Sequence, residues 1–162
     1  MKKICLIVPC YNEENCLLAF DEKLSEVVGQ MGDYEFEVFY INDGSKDHTL
    51  EIMRQICKKR DYACYLSFSR NFGKEAAMYA GFSNADGDYV AVMDADLQDP
   101  PELLPDMVKI LESGEYDSVA TRRIDRAGEP PIRSFFARMF YRLINKISDA
   151  DIVDGARDYR LM

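Results

Sequence analysis

The chain is short of positive charge, has one histidine, and holds no apolar run long enough to cross a membrane. Each shortage removes a class of function. Acidic residues number 29 against 20 basic ones, a net charge of −9. That balance argues against a nucleic-acid partner, because a basic surface supplies most of the affinity for a phosphate backbone. No stretch approaches the ~18 apolar residues of a spanning helix. The opening Met1-Lys2-Lys3 is basic, but the apolar run behind it breaks at Pro9 and turns acidic at Glu13-Glu14, so it does not read as a signal peptide. His48 is the only histidine; it falls at a helix start, where a solvated position is a better reading than a catalytic one. The five cysteines, Cys5, Cys10, Cys16, Cys57 and Cys64, are odd in number and form no Cys-x-x-Cys pair. They read as free thiols of a reducing compartment rather than as a disulfide or zinc framework. Two familiar phosphate loops are also missing. Pro9-Cys10-Tyr11-Asn12-Glu13 stands where a dinucleotide fold needs Gly-x-Gly-x-x-Gly, and Gly73-Lys74 runs into Glu75 without a P-loop's upstream glycine.

What is present suits one domain spanning 1–162. The length and the 48% apolar content allow a sizeable core without staples. Apolar patterning predicts strands at 3–8, 37–41, 64–68, 89–93 and 118–121. Helices are predicted at 14–30, 47–59, 74–82 and from 99–102 to 112, the last opened by prolines suited to a first turn and capped by Asp99. Alternation of the two implies an α/β fold with a mostly parallel sheet flanked by helices. Ligands of such sheets bind at the carboxyl ends of the strands. Polar clusters fall there: Tyr11-Asn12-Glu13, Asn42-Asp43-Gly44-Ser45, Ser69-Arg70-Asn71, Asp94-Ala95-Asp96 and Arg122-Arg123.

The turn Asp94-Ala95-Asp96 follows an apolar strand directly. Strand alternation sends both carboxylates to one side and Ala95 to the other. Two carboxylates converging in a cleft repel unless a cation lies between them. Oxygen donors suit Mg²⁺ or Mn²⁺, which complete their shells with water and substrate phosphate. Gln98 adds an amide oxygen to the candidate ligand set.

At these residues the chain resembles the family 2 glycosyltransferases of the GT-A (Rossmann-like) fold. The segments that carry the likeness are Val8-Pro9-Cys10-Tyr11-Asn12-Glu13-Glu14, Asn42-Asp43-Gly44-Ser45-Lys46-Asp47-His48-Thr49 and Asp94-Ala95-Asp96 with its preceding strand. Two further segments, Arg70-Asn71-Phe72-Gly73-Lys74-Glu75-Ala76-Ala77 and the run Asp94 through Glu102, are similar to the dolichol-phosphate mannosyltransferase and bactoprenol glucosyltransferase branch. The resemblance implies inverting transfer from a UDP- or GDP-sugar to a polyprenyl phosphate. It implies that Pro9, Tyr11 and Glu13 line a nucleotide pocket, that Asp43 meets the base or ribose, and that Asp94, Asp96 and Gln98 hold the metal. Arg122 would meet phosphate, and Asp158 would lie near the sugar as the candidate base. Lys74 is a candidate nucleotide contact. Ala137 stands where many relatives carry serine. In that branch transmembrane helices often follow the catalytic domain, so the expected setting is the cytoplasmic face of a membrane, with 1–162 cut before them.

The acceptor side rests on charge. Seven Lys/Arg and two acids between Arg122 and Lys146 give that stretch +5 and leave −14 for the rest. A phosphate acceptor, with a second pKa of ~6, is largely dianionic at neutral pH and needs cations more than a base; Arg126 and Arg133 are the candidates. Residues 132–147 place Phe136, Met139, Phe140, Leu143, Ile144 and Ile147 on one helical stripe with no acid among them. This reads as an amphipathic helix on an anionic membrane, or as a helix packed on the sheet or on a second copy in a homo-oligomer. Two other functions remain open at this point: transfer to a soluble or cell-surface glycan, and a non-catalytic module that binds nucleotide sugars.

Overall fold

The computed structural model describes residues 1–122 and 156–162. Strand and helix alternate: β1 (Lys2–Cys10), α1 (Leu17–Gln30), β2 (Tyr34–Asn42), α2 (Thr49–Lys59), β3 (Ala63–Ser67), α3 (Lys74–Asn84) and β4 (Tyr89–Val92). A 3-10 turn at Pro101–Leu103 leads into α4 (Leu104–Glu112), followed by β5 (Val119–Arg122) and β6 (Ala156–Leu161). The strands form one sheet in the order β3-β2-β1-β4-β6-β5. β1 pairs in parallel with β2 and β4, and β2 with β3, while β6 runs antiparallel between β4 and β5. The mixed α/β architecture and the mostly parallel sheet agree with the sequence reading.

Alternation along β1 divides the core. Ile4, Leu6, Val8 and Cys10 join one buried cluster with residues of α1, α2 and α4. Cys5 and Ile7 join another with Ala77 of α3. A strand covered on both faces must be apolar throughout, which explains the run at 4–8. Each such side chain contributes roughly 1.5–3 kcal/mol on full burial. α3 packs tightly because of Gly81: a Cβ there would lie 2.4 Å from Ile7 Cγ2 and 2.9 Å from Ile41 Cδ1.

The sheet also sets the site. From β1 the chain winds outward through β2 to β3, then returns to β4 on the other flank of β1. The connections leaving β1 and β4 therefore diverge at their carboxyl ends, and the crevice between them is where open α/β sheets bind ligands.

Several sequence expectations are corrected. No strand was predicted at 156–161. Its inner strand position is nonetheless visible in alternation, with Tyr159 and Leu161 buried and Arg160 exposed. On α1 the apolar Leu18 is 48% exposed, whereas the charged Asp21 is buried. Asp21 is held there by the Tyr40 hydroxyl at 3.0 Å and the Arg60 Nε at 3.2 Å. On α2 the buried side chains are Thr49, Ile52, Met53 and Ile56. The cap position expected at Asp99 falls on Pro100, which opens the 3-10 turn, and Asp99 is buried. The 132–147 helix lies outside the described residues.

Candidate active site

The loop after β1 and the loop after β2 are tied to each other by one backbone bond and several side-chain-to-backbone bonds. The Asp43 N–H donates to the Cys10 carbonyl at 2.9 Å. Asn12 N–H donates to Ser45 Oγ at 3.0 Å, and Lys46 N–H returns to Asn12 Oδ1 at 2.9 Å. Glu13 N–H donates to Thr49 Oγ1 at 2.8 Å, and Glu14 N–H to Asp47 Oδ2 at 3.2 Å. Asp47 also accepts the Thr49 hydroxyl at 2.6 Å and the Thr49 N–H at 3.1 Å. Burial works against the Asp47 charge, but these hydrogen bonds outweigh it and hold the carboxyl below the usual aspartate range. The short polar residues Asn42-Asp43-Gly44-Ser45-Lys46-Asp47 thus act as a clasp, since such side chains readily bond nearby backbone.

Asp43 holds a third loop. Only 3% exposed, its carboxylate accepts the Phe72 N–H at 2.7 Å through Oδ1 and the Gly73 N–H at 3.0 Å through Oδ2. The strand-end cluster at 70–73 is thereby drawn over β1 and β2. Sequence reading gave Asp43 a contact to base or ribose; in the structure both its oxygens are engaged by backbone.

The three loops and the turn after β4 enclose a cavity of about 290 Å³, lined by Pro9, Tyr11, Glu13, Asp43, Lys74, Asp94 and Asp96, with Cys10, Asn71, Gly73, Ala77 and Ala95 completing it. The structure therefore brings together every described candidate nucleotide and metal residue except Gln98. Tyr11 stands at the lip, 41% exposed. Ala95 turns into the core while Asp94 and Asp96 both line the cavity. Gln98 is exposed and lies off the lining; its N–H donates to Asp96 Oδ1 at 3.0 Å across Leu97, whose φ is +60°. Lys74 reaches Asp94 from the first turn of α3, its Nζ 2.7 Å from Oδ1 and 2.8 Å from Oδ2. Cys16 donates its thiol proton to Glu13 Oε2 at 2.9 Å. Burial first, then this hydrogen bond to a carboxylate, pushes the Cys16 thiol up to about 12.

Among the described residues, four acids and one lysine line the cavity. A polyanion enters such a space only with cations of its own, and convergent carboxylate oxygens are the donors that hard divalent ions favour. The donor chemistry of Asp94 and Asp96 thus fits Mg²⁺ or Mn²⁺. Asn71 and Gly73 were not singled out as site residues from sequence, although the polar run at the end of β3 marked their loop.

On the other flank, Arg122 ends β5, where it pairs with Ala156 at the start of β6, and Asp158 lies on β6. Arg126, Arg133 and Ala137 lie outside the described residues. A further grouping of Cys5, Glu37 and Asp86 sits at the far end of β1, where the Lys3 ammonium pairs with both acids, at 2.8 Å from Glu37. No helix among the described residues is long and apolar enough to cross a membrane.

Residues 5–162 match the family model described as Glycosyl transferase family 2. The chain belongs to glycosyl transferase family 2. Within this family it is 41% identical over 160 residues to a bactoprenol glucosyl transferase of Shigella phage SfV, covering 99% of this chain and 52% of that relative. The chain spans about half the length of the curated relatives it matches. Among solved structures it is similar to the mannosyltransferase PcManGT of Pyrobaculum calidifontis in complex with GDP-Man and Mn²⁺, with a TM-score of 0.61 and 26% identity over 75% of this chain and 36% of that one. The glucosyl-3-phosphoglycerate synthase of Mycobacterium tuberculosis, in complex with UDP, shares the fold at a TM-score of 0.68 and 19% identity, covering 99% of this family 2 chain and 56% of that one.

Proposed function

We propose that this chain is the catalytic domain of an inverting glycosyltransferase that moves a sugar from a UDP- or GDP-sugar to a polyprenyl phosphate. The observation that carries the reading is the cavity at the β1–β4 switch point, where Asp94 and Asp96 face Pro9, Tyr11, Glu13 and Lys74. Bactoprenol glucosyl transferases among the relatives support the acceptor, and the GDP-Man and Mn²⁺ bound to PcManGT support the donor class and the metal.

Pro9, Tyr11 and Glu13 would receive the nucleoside, with Asp43 keeping the 70–73 loop in place around it. Asp94 and Asp96 would hold Mg²⁺ or Mn²⁺, with Gln98 as a further donor. When bound, that ion offsets the negative charge that gathers on the departing diphosphate. In the transfer an acceptor oxygen bonds to the anomeric carbon while the bond from that carbon to the donor's β-phosphate oxygen breaks, and the nucleoside diphosphate leaves with the electron pair. Arg122 would add a guanidinium, whose planar fork matches phosphate oxygens. Arg126 and Arg133 would position the acceptor phosphate. A dianionic phosphate attacks without losing a proton; with a hydroxyl acceptor, Asp158 would serve as the base. The setting we propose is the cytoplasmic face of a membrane, in a longer polypeptide.

The test is transfer by the full-length protein with Mn²⁺ or Mg²⁺, a panel of UDP- and GDP-sugars, and a short polyprenyl phosphate. A glycosyl polyprenyl phosphate with inverted anomeric configuration is expected. Transfer to an oligosaccharide alone would sink the acceptor assignment. Donor binding without turnover on any acceptor would instead point to a binding module.

A further inference from the structure

We propose that Lys74 is a built-in counter-ion for Asp94, one that a divalent cation has to displace and that then passes to the donor's diphosphate. The inference rests on the metal and donor reading above. It is carried by the geometry of one ion pair inside the cavity. The Lys74 ammonium lies 2.7 Å from one Asp94 oxygen and 2.8 Å from the other, so both oxygens that would serve a metal already face a full positive charge. The other acids of the lining are met differently. Asp43 is satisfied by two backbone amides, Asp96 accepts the Gln98 N–H, and Glu13 accepts a thiol. Lys74 is the sole cationic side chain among the described residues of that lining.

A cation arriving at Asp94 and Asp96 meets a like charge within 3 Å of both Asp94 oxygens. Repulsion between the two cations weakens metal binding for as long as the ammonium stays. The pair is about one-third exposed on each side, so the ammonium has an open path off Asp94. Lysine suits the role: it is a compact point charge on a flexible four-carbon stem, free to swing where a guanidinium would be fixed by its fork. A diphosphate offers the displaced ammonium a new partner and removes the repulsion. Metal and diphosphate then bind with positive coupling through Lys74, and by linkage each tightens the other equally. The arrangement keeps the metal site poorly filled until the nucleotide arrives.

The experiment measures Mn²⁺ binding by electron paramagnetic resonance, with and without UDP, in the 162-residue chain and in its Lys74→Met and Lys74→Arg variants. Lys74→Met is expected to bind Mn²⁺ alone about fivefold or more tighter than the unaltered chain, within the usual range of site coupling, and to gain less from UDP. Lys74→Arg keeps the charge and is expected to keep the weak Mn²⁺ binding. Mn²⁺ binding by Lys74→Met that is no tighter than that of the unaltered chain, or an equal gain from UDP in both, overturns the proposal. An unaltered chain that binds no Mn²⁺ even with UDP or GDP removes the metal reading itself, and the role of Lys74 with it. Thermal melts check each variant; if Lys74→Met does not fold, Lys74→Gln replaces it with the same expectation.

Discussion

Gly44 and Arg70 approach so closely that a Cβ on Gly44 would stand 2.3 Å from the Arg70 carbonyl carbon and 2.6 Å from its Cα. Gly44 also has a φ of +67°, in the left-handed region. Two independent demands thus fall on one residue, and both serve to seat the 70–73 loop on the end of β2.

Gly44→Ala is expected to lower the melting temperature and to weaken binding of the donor nucleotide. Backbone strain of about 1–3 kcal/mol adds to the displacement of the loop. Gly114→Ala is the control: its φ is +74°, yet nothing lies within 4 Å of the added Cβ, so only the conformational component remains. Equal melting temperatures for the two variants would show that the close approach carries no energy.

Asp43→Asn replaces one acceptor oxygen by an amide that faces a backbone N–H. A lost hydrogen bond and an unsatisfied buried donor cost about 1–3 kcal/mol, to be read as a lower free energy of urea unfolding. Donor affinity should fall with it, because Asn71, Gly73 and Lys74 on the clasped segment line the cavity. Unchanged stability with lost nucleotide binding would instead assign Asp43 to the nucleotide alone.

Asp47 makes folding sensitive to acid. Its carboxyl is held below the ordinary 3.8 in the fold. A depressed acid contributes stability above the unfolded-state value and loses it as pH falls through the folded one. The free energy of unfolding should therefore decline below about pH 4, and Asp47→Asn should flatten that decline relative to the unaltered chain. Parallel urea titrations at neutral pH and near pH 3 provide the comparison.

Asp96→Ala should abolish metal-dependent binding of UDP or GDP while leaving the fold intact, since Asp96 is exposed and bonds only the nearby Gln98 N–H among its described partners. Calorimetric titration of UDP in the presence and absence of Mn²⁺ distinguishes the two contributions. Retained Mn²⁺-dependent affinity would remove Asp96 from the ligand set.

Much of the donor site was legible because its parts are local. A continuous apolar run ending in Pro9 marks a doubly covered strand and its carboxyl end. Asp94 and Asp96 flank a small residue directly after another such strand, and polar residues at strand ends mark loops over a crevice. β6 was harder to read. Its segment Ala156-Arg157-Asp158-Tyr159-Arg160-Leu161 is half charged, and its strand character comes from pairing with β4 and β5, distant in sequence. The hold of Asp43 on its neighbouring loop was hidden for a similar reason: a buried carboxylate takes the nearest amides, and only the path of the 70–73 loop brings Phe72 and Gly73 to it. Asp21 is buried because Tyr40 and Arg60 lie opposite it, which no helical periodicity reveals.

By itself, the sequence determined the α/β alternation, the family resemblance and the chemical kind of the site, since these depend on residue type and short spacings. Tertiary structure decided how charges pair across the cavity and how the sheet is ordered: that Lys74 faces Asp94 twenty positions away, that Asp43 clasps a loop, and that a reversed strand inserts between β4 and β5. Pairing energies depend on distance in space and on burial, and both arise only when separate loops converge at the ends of β1, β2 and β4.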